Sequence, residues 1–339
     1  MLQGKPVLAS TYEGFTVKEN GQFDLSIIIV SWNVSDLLAD CLDSILYSPV
    51  TLNPANDDDQ RISIEIIVVD SDSTDGTVPM LRRYFPEITL LPQTENVGFT
   101  RGNNIGLEAA TGRYLFLLNP DTLVLGPALV NMVKYLDEHP DVGIIGPYTL
   151  NTNGTMQSTR RRFPTVAIGF YESTWLQPFA PKNLLRRYYV DDAPMIATLD
   201  VDWVQGSALM ARREVYTQIG GLDTNYFMFS EELDWCKRAK DAGWRVVFYC
   251  NAQIIHHGGQ STQQVSAHKH IYFQESKLRY FRKYHGARVA FALRLFLLFN
   301  YTTQILIEGF KGLLGSKRAM RRQRIREYWQ VIRSGLRVT

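Results

Sequence analysis

Short apolar runs of strand length alternate with helical patterns along the first half of the chain. Leu25–Val30 and Ile62–Val69 are continuous apolar runs, as expected for strands buried on both faces. Between them, Ser35–Tyr47 carries apolar residues at helical spacing. The alternation continues with predicted strands at Ile88–Leu91, Tyr114–Leu118 and Val142–Ile145, and predicted helices at Val78–Tyr84, Ile105–Ala110 and Pro127–His139. This order predicts an α/β fold with a mostly parallel central sheet flanked by helices.

The second half of the chain is less regular. Strands are predicted at Leu199–Val204, Ala208–Arg212 and Arg245–Cys250, with a helix at Ser230–Ala242 and one long helix from Glu275 to Phe310. We therefore expect an N-terminal extension (1–24), one α/β domain (25–270) with halves at about 25–125 and 126–270, and a C-terminal helical extension (271–339). Residues 51–60 are expected to form a polar loop.

The composition is that of a globular protein with a real core. Of 339 residues, 45% are apolar and 21% charged. Cys41, Cys236 and Cys250 form no CxxC pair, so neither a disulfide framework nor a cysteine zinc site is expected, and a reducing cytoplasmic setting fits. The N-terminus lacks a basic start followed by an apolar run, so no signal peptide is expected.

Charge is distributed unevenly along the chain. Residues 311–339 hold nine basic residues and one acidic residue, whereas the first 310 hold 27 basic and 33 acidic residues. The preceding segment, Val289–Phe310, is apolar but contains Arg294, Asn300, Gln304 and Glu308, which favours an amphipathic helix lying in a membrane surface over a spanning one. A helix packed on the domain or in a dimer remains the alternative. The basic residues after it favour anionic lipid, and sparse aromatics argue against nucleic acid.

Three of the predicted strands end in polar segments, which are Ser31-Trp32-Asn33, Asp70-Ser71-Asp72 and Asn119-Pro120-Asp121. Ligands of open α/β sheets bind beyond the carboxyl ends of the strands, so these segments are candidates for a nucleotide site. Asp and Asn are also common in ordinary turns, which is the alternative for any one of them. Because no GxGxxG follows the first strand, dinucleotide binding in the usual mode is not expected.

Two further positions are candidates for metal binding. Asp121 offers the oxygen ligand that Mg²⁺ or Mn²⁺ prefers, usually together with substrate phosphates. His256 follows the late predicted strand and could add a nitrogen ligand, although a lone histidine is more often structural.

A cluster of acids opens the predicted helix after Phe229. Glu231, Glu232 and Asp234 follow Ser230, so one carboxylate could act as a general base in a cleft. Serine at an N-cap with acids in the first turn is also an ordinary helix start.

Several motifs occur together in the order and spacing of a known family. They are SIIIVSWN, EIIVVDSDSTDGT, ENVGFTRGNNIGLEAATGRYLFLLNPDT, WVQGSALMARREVYTQIGGLD and FSEELDWCKRAKDAGWRVVF, followed by IIHHGGQST. Over roughly residues 25–285 the chain resembles the family-2 glycosyltransferases with a GT-A fold, in particular the bacterial rhamnosyltransferase and galactofuranosyltransferase-like branch. The resemblance implies an inverting transferase that moves a sugar from a nucleotide diphosphate donor.

The resemblance also implies roles for individual positions. Asp70 would hold the nucleobase, Glu232 would be the catalytic base with Glu231 and Asp234 as alternatives, and Asp121 and His256 would hold the divalent metal, Mg²⁺ or Mn²⁺. The positions implied to line the rest of the donor pocket are Ser31, Asn33, Asp72, Asn96, Arg101, Asn104 and Asn119. The positions implied to border donor and acceptor sugar are Trp203, Gln205 and Gly206.

Two positions depart from the family pattern. Glu231-Glu232 replaces the usual Glu-Asp pair, so the longer arm of Glu232 must be accommodated, and Asn119 replaces the first acid of the DxD motif. On this resemblance we expect the nucleotide-binding half at about 25–125 and the acceptor-binding half at about 126–270. A dTDP-rhamnose-like donor is the first expectation.

The partners expected are a nucleotide-diphosphate sugar, a saccharide or lipid-linked saccharide acceptor in cell-surface polysaccharide synthesis, and a membrane surface at the cytoplasmic face. Arg160-Arg161-Arg162 and nearby aromatics are expected to recognise the acceptor, with a solvated basic loop as the alternative. A catalytically silent nucleotide-sugar-binding relative remains the functional alternative, and the oligomeric state stays open. A nucleotidyltransferase is disfavoured because no glycine-rich phosphate loop follows the first strand.

Overall fold

A computed structural model of the protein describes residues 23–48, 50–51, 62–258, 266–315 and 317–338. The predicted N-terminal extension and the polar loop at 51–60 lie almost wholly outside the described residues.

The strands are β1 Leu25–Ser31, β2 Val50–Thr51, β3 Ile62–Asp70, β4 Thr89–Pro92, β5 Tyr114–Leu118, β6 Thr122–Leu125, β7 Val142–Leu150, β8 Arg160–Arg161, β9 Leu199–Val201, β10 Trp203–Val204, β11 Ala208–Arg212 and β12 Arg245–His256. The α-helices are α1 Ser35–Leu46, α2 Thr77–Tyr84, α3 Gly98–Ala109, α4 Ala128–Glu138, α5 Val166–Tyr171, α6 Lys182–Tyr188, α7 Arg213–Ile219, α8 Glu231–Asp241, α9 Ser266–His285, α10 Ala287–Leu313 and α11 Arg318–Ser334, and Gln177–Phe179 is a 3₁₀-helix.

Ten of the strands form one central sheet, in the order β2-β3-β1-β5-β11-β7-β12-β6, with β4 beside β3 and β9 beside β12. The half that contains β1 is parallel, and β11 runs antiparallel between β5 and β7. The predicted α/β fold with a mostly parallel sheet is therefore confirmed, with antiparallel strands inserted in its second half. β8 and β10 form a separate two-stranded ribbon.

Register places the polar strand ends at one rim of the sheet. Ser31 pairs with Asp70 across the ends of β1 and β3. The loop after β5 turns back into β6, and Thr122 of β6 pairs with His256 at the end of β12. Residues far apart in sequence thus meet at the carboxyl edge of the sheet, where ligands of open α/β folds bind.

Apolar clusters cover both faces of the sheet. On one face α1 and α4 pack on β1, β5 and β12, and on the other α3, α7 and α8 pack on the opposite side chains of the same strands. Helix α3 lies close to β1 because it carries glycines there: a Cβ on Gly106 would stand 2.3 Å from Cγ2 of Ile28. A close helix–strand contact of this kind needs a residue without a side chain.

The C-terminal helices form a third cluster beside α8. Leu278 of α9, Leu293 and Leu297 of α10 and Val331 of α11 are buried together with Leu233 of α8. The C-terminal extension is therefore packed against the domain and shares its core, rather than following it as an independent tail.

Several predicted element bounds were wrong. The single helix expected from Glu275 to Phe310 is broken at Gly286, whose φ of 91° lies in the left-handed region. β12 continues to His256 instead of ending at Cys250. The expected strand Leu199–Val204 is divided between β9 and β10, which join different sheets.

The outer face of α10 is a continuous apolar stripe. Six residues of this helix, 52% to 80% exposed, define what we call the apolar stripe: Phe291, Leu295, Phe299, Leu306, Phe310 and Leu313. The helix is long and apolar enough to cross a membrane by length and composition alone. Its opposite face, however, is buried against α9 and α11.

Between Phe291 and Phe310 no exposed charge interrupts the apolar stripe, and the exposed Lys311 lies near its C-terminal end. Arg294 and Glu308 are the charged residues between positions 291 and 310. Arg294 donates to the carbonyl of Gly335 at 2.7 Å, and Glu308 is buried in ion pairs with Arg321 at 2.6 Å and Arg324 at 3.3 Å. The two charged side chains are thereby turned toward α11.

Candidate active site

The rim contains a pocket of buried polar atoms at the ends of β1 and β3. Asp70 is 1% exposed, and its Oδ2 accepts the backbone N–H of Ser73 at 3.0 Å. The other carboxylate oxygen, and the hydroxyls of Ser31 and Ser71, are buried with no hydrogen-bond partner among the described residues. Buried polar groups are normally paired, so these atoms indicate a ligand with complementary polar groups.

Two loop residues frame this pocket rather than reach into it. The backbone of Asn33 is left-handed at a φ of 51°, and its Oδ1 accepts the backbone N–H of Thr74 at 2.7 Å. Asn33 thereby ties the loop after β1 to the loop after β3. Asp72, at a φ of 61°, is exposed near the mouth.

Three residues in and just before α3 that were predicted to line the donor pocket bond to other parts of the protein. Asn96 accepts the N–H of Gly98 at 3.0 Å, which begins α3, and Arg101 is exposed with an ion pair to Glu95 at 3.9 Å. Asn104 donates to the carbonyl of Leu222 and accepts its N–H, both at 2.8 Å. Both ends of the Asn104 amide are used in this way, so Asn104 holds the segment after α7 against α3, and its contact with the donor stays a prediction.

The predicted metal residues lie in contact with each other. Oδ1 of Asp121 is 3.3 Å from Nε2 of His256, and both side chains are more than nine-tenths buried. Nδ2 of Asn119 lies 3.4 Å from the same nitrogen, and Oδ1 of Asn119 is buried without a partner among the described residues. β6 and β12 create this arrangement, because their pairing brings residues 121 and 256 together.

The chemistry of this pair fits a divalent cation. Two ligands at adjacent corners of an octahedral ion are about 3 Å apart when each bond is about 2.1 Å, close to the observed separation. The described residues contain no group of three or more His, Cys, Asp and Glu that could hold a metal alone. Mg²⁺ is usually bound by one or two carboxylates together with substrate phosphates and waters, and here His256 would add a nitrogen ligand beside Asp121.

A pair of acids faces the same rim from the start of α8. The chain enters the helix through two left-handed residues, Phe229 and Ser230, and the Ser230 side chain makes no capping hydrogen bond. Ser230 therefore does not cap the helix through its side chain, although the three acids do lie in the first turn. Oε1 of Glu232 is 3.5 Å from the N–H of Gly206, and its Oε2 has no partner among the described residues.

The two glutamates differ in their surroundings. Glu231 is 4% exposed, and burial together with the neighbouring charge of Glu232 raises its pKa well above the usual value. Glu232 is only partly buried, and burial raises its pKa as well. Burial thus raises the pKa of both glutamates, and the rise is larger for Glu231, which favours its neutral form.

Asp234 does not reach the cleft, which corrects its prediction as an alternative base. It is completely buried, and its carboxylate contacts Arg238 Nε at 2.8 Å, the Tyr284 hydroxyl at 2.8 Å and Lys283 Nζ at 2.6 Å. These contacts join α8 to α9. Removing one member of such a network leaves buried charge uncompensated, so Asp234 is a structural residue.

The segment Trp203–Gly206 connects the acid to the metal pair. A Cβ on Gly206 would lie 3.3 Å from Cβ of Glu232, so glycine leaves room for the longer acid arm. The next carbonyl, of Ser207, accepts the N–H of Asn119 at 2.9 Å. The contact of Glu232 with Gly206 and the hydrogen bond between Asn119 and Ser207 therefore connect the acid to the loop that carries Asp121.

Two other residues of this segment are fixed by their neighbours. Trp203 donates its ring N–H to the carbonyl of Arg162 at 3.0 Å. The backbone N–H of Gln205 donates to Thr159 at 2.9 Å. The segment is thus held in place on both sides of the glycine.

The three arginines that were predicted to recognise the acceptor lie in different surroundings. Arg160 is 2% exposed, and its guanidinium donates to the carbonyls of Pro194 and Ala193, so it cannot serve as an exposed phosphate ligand. Arg161 lies against the ring of Tyr189 at 4.6 Å. Arg162 is 3.8 Å from Asp202.

Sequence reasoning missed Ser207 and Gln157. The Ser207 hydroxyl is buried without a partner among the described residues, one residue from Gly206. Gln157 contacts the ring of His256 at 2.9 Å across 99 positions of sequence. Neither carries a local signal, because their placement depends on strand pairing between distant segments.

Comparison with solved structures identifies the fold. The mannosyltransferase PcManGT from Pyrobaculum calidifontis, in complex with GDP-Man and Mn²⁺, superposes with a TM-score of 0.54 at 18% identity, covering 97% of this chain and 88% of that one. The fold is therefore GT-A.

Comparison by sequence identifies the family. The model for glycosyl transferase family 2 matches residues 26–198, half of the chain, and the chain belongs to this family. It is 28% identical over 211 residues to the N-acetylglucosaminyl-diphospho-decaprenol L-rhamnosyltransferase of Mycobacterium tuberculosis H37Rv, covering 59% of this chain and 68% of that protein. It is 24% identical over 191 residues to the rhamnosyltransferase WbbL of Escherichia coli K12, covering 54% and 69%.

Proposed function

We propose that this glycosyltransferase transfers a deoxyhexose, with rhamnose the first choice, from a nucleotide diphosphate to a lipid-linked saccharide with inversion at the anomeric carbon. The observation that carries the proposal is the succession of Asp70, Asp121 with His256, and Glu232 along one rim of the sheet. Two relatives named above are rhamnosyltransferases, and one of them is named for a diphospho-decaprenol substrate.

Each part of the rim has a separate task in this mechanism. The unpartnered oxygen of Asp70 accepts a base N–H, with the Ser31 and Ser71 hydroxyls nearby. Asp121 and His256 would hold a divalent cation, Mg²⁺ or Mn²⁺, which neutralises charge on the leaving diphosphate. Mn²⁺ is present in the PcManGT complex.

Glu232 takes the proton of the acceptor hydroxyl as that oxygen attacks the anomeric carbon. One displacement inverts the configuration, with no covalent enzyme intermediate. Its unpartnered Oε2 supplies the acceptor site for the proton. A catalytically silent relative would not need this base.

The direct test is transfer by an Asp121→Ala enzyme. The purified protein is incubated with dTDP-rhamnose, a diphospho-lipid-linked N-acetylglucosamine acceptor and Mg²⁺ or Mn²⁺. We expect the wild type to form product and Asp121→Ala to lose most of the metal-dependent rate. Full turnover by the wild type after complete removal of divalent metal contradicts the metal role, and absence of transfer with any nucleotide sugar supports the silent alternative.

We further propose that the protein acts at the cytoplasmic face of a membrane, on which the apolar stripe of α10 rests. Each exposed Leu or Phe that leaves water contributes about 1.5–3 kcal/mol. α11 follows with Arg318, Arg322 and Arg326 among its exposed residues, and these attract anionic headgroups. The buried opposite face of α10 supports an in-plane position rather than a span.

Substitutions on the apolar stripe test membrane binding without exposing buried residues. Deleting the C-terminal helices would uncover Leu233 of α8, so we choose Phe291→Ser, Leu295→Ser and Phe299→Ser together. Binding to phosphatidylglycerol vesicles should fall at least tenfold on the estimate above. Tyr47→Ser, at a site 75% exposed, is the matched control and should bind normally. Unchanged binding by the triple variant rules out the stripe.

A further inference from the structure

His256 is held at both ring nitrogens, and its partners determine which nitrogen carries the proton. Gln157 contacts it twice: Nε2 of the glutamine is 2.7 Å from the backbone carbonyl of His256, and Oε1 is 2.9 Å from Nδ1 of its ring. A backbone carbonyl can only accept a hydrogen bond, so the glutamine atom facing it must be the NH₂ group. The atom facing the ring is then the amide oxygen, which also only accepts.

The proton of the neutral ring must therefore lie on Nδ1. The lone pair of the other nitrogen points at Oδ1 of Asp121, 3.3 Å away, and at the Asn119 amide. The Asn119 amide can donate an N–H to this nitrogen, whereas the electron-rich oxygen of Asp121 repels it unless a cation binds both atoms. This is the arrangement that a metal-ligating histidine requires.

Gln157 is rigidly placed for this task. Its backbone N–H donates to the carbonyl of Thr149 at 2.8 Å, next to the end of β7. The intervening turn is closed by Asn151, whose N–H donates to the carbonyl of Thr155 at 2.7 Å, and by Asn153, which accepts from the Thr155 hydroxyl at 2.6 Å. A short, self-bonded hairpin thus carries the glutamine to the ring.

We propose that Gln157 is a positioning residue that fixes His256 with its proton on Nδ1 and so presents Nε2 to a divalent cation beside Asp121. The proposal rests on the ligand roles assigned to Asp121 and His256 in the proposed function. It extends the site to the 151–157 hairpin, to which sequence reasoning gave no role in the metal site.

Loss of the glutamine oxygen has a defined consequence. In Gln157→Leu nothing at that position accepts a hydrogen bond from Nδ1, whereas Asp121 still offers an acceptor 3.3 Å from Nε2. The proton should therefore move to Nε2 and donate to Asp121. The two ligands would then satisfy each other, and a cation would have to displace that hydrogen bond to bind.

The first experiment reads the tautomer in the metal-free protein. ¹⁵N-histidine-labelled full-length protein is studied by long-range ¹⁵N–¹H correlation NMR, with His256→Ala identifying the relevant signals. We expect an Nδ1–H ring in the wild type and an Nε2–H ring in Gln157→Leu. An Nδ1–H ring that persists in folded Gln157→Leu overturns the proposal.

The second experiment measures Mn²⁺ affinity by the loss of the free-ion EPR signal, without nucleotide. Outer-shell substitutions typically weaken metal binding by about 10–100-fold, and we expect this range for Gln157→Leu. Gln218→Leu is the matched control, because Gln218 likewise accepts a ring N–H, from Trp244 at 2.7 Å. Equal Mn²⁺ affinity in Gln157→Leu and wild type overturns the proposal.

The two experiments also separate this inference from the proposed function. If the wild type binds no Mn²⁺ and His256→Ala changes nothing, the ligand assignment itself is wrong, and the proposal fails with it. If Mn²⁺ binding requires His256 but its affinity does not depend on Gln157, the metal site is supported and only the positioning role of Gln157 is wrong.

Discussion

Glu231 and Glu232 are adjacent carboxylates in different surroundings, and replacing each with glutamine separates their roles. Glutamine keeps the size of the side chain and removes its ability to accept a proton. Glu231 is already favoured as the neutral acid, because burial and the charge of Glu232 raise its pKa. For Glu231 the substitution is therefore close to neutral, whereas for Glu232 it removes the base.

The expected magnitudes follow from the contacts. A lost general base costs about 10²–10⁴ in rate, equivalent to about 2.7–5.4 kcal/mol. The Glu232 carboxylate interacts with backbone N–H groups, among them Gly206 at 3.5 Å, and the glutamine oxygen can still accept from them, so little ground-state interaction is lost. Glu232→Gln should therefore reduce kcat by that factor and leave donor affinity within about twofold. Glu231→Gln should keep kcat within about tenfold.

The assay is steady-state transfer with saturating donor and metal, with donor binding measured separately by calorimetry. Circular dichroism and thermal unfolding check that both variants fold. A Glu232→Gln enzyme with near-normal kcat, beside a Glu231→Gln enzyme reduced by 10² or more, would refute the assignment and move the base to Glu231.

Two more outcomes are expected. Burial raises the pKa of Glu232 above its usual 4.5, so kcat/KM should fall as the pH is lowered and this base is protonated, with a midpoint above pH 4.5. A midpoint at or below pH 4.5 contradicts this environment. Gly106→Ala should lower the free energy of unfolding by about 1–3 kcal/mol in urea denaturation, since its Cβ would stand 2.3 Å from Ile28. Gly309→Ala, with nothing within 4 Å, is the control and should not destabilise; equal loss in both variants refutes the packing argument.

The fold could be predicted from sequence because its signals are local. Buried parallel strands such as Ile62–Asp70 are continuous apolar runs, and their polar ends mark the rim. The antiparallel strand Ala208–Arg212 was predicted as a strand, but its position between two others was not, because pairing partners leave no periodic pattern. The break at Gly286 was missed because one glycine does not interrupt a helical pattern of apolar residues.

For the site, too, the residues in local motifs could be predicted from the sequence, whereas the long-range contacts could not. Asp70, Asp121 and Glu232 could be proposed from motifs, and the structure places them on one rim. Asp234 and Arg160 have the same residue types as functional groups, yet the structure gives their charges to internal partners. Only the packed structure distinguishes a carboxylate that reaches a cleft from one that ties two helices together.

Anomalous diffraction from a crystal grown with Mn²⁺ and a non-transferable nucleotide diphosphate sugar tests the central claim most directly. The account predicts one manganese peak bound to Asp121 and His256, with the sugar's anomeric carbon between the metal-bound diphosphate and the Glu232 carboxylate. A manganese peak at other residues, or a sugar whose anomeric carbon faces away from Glu232, would contradict it.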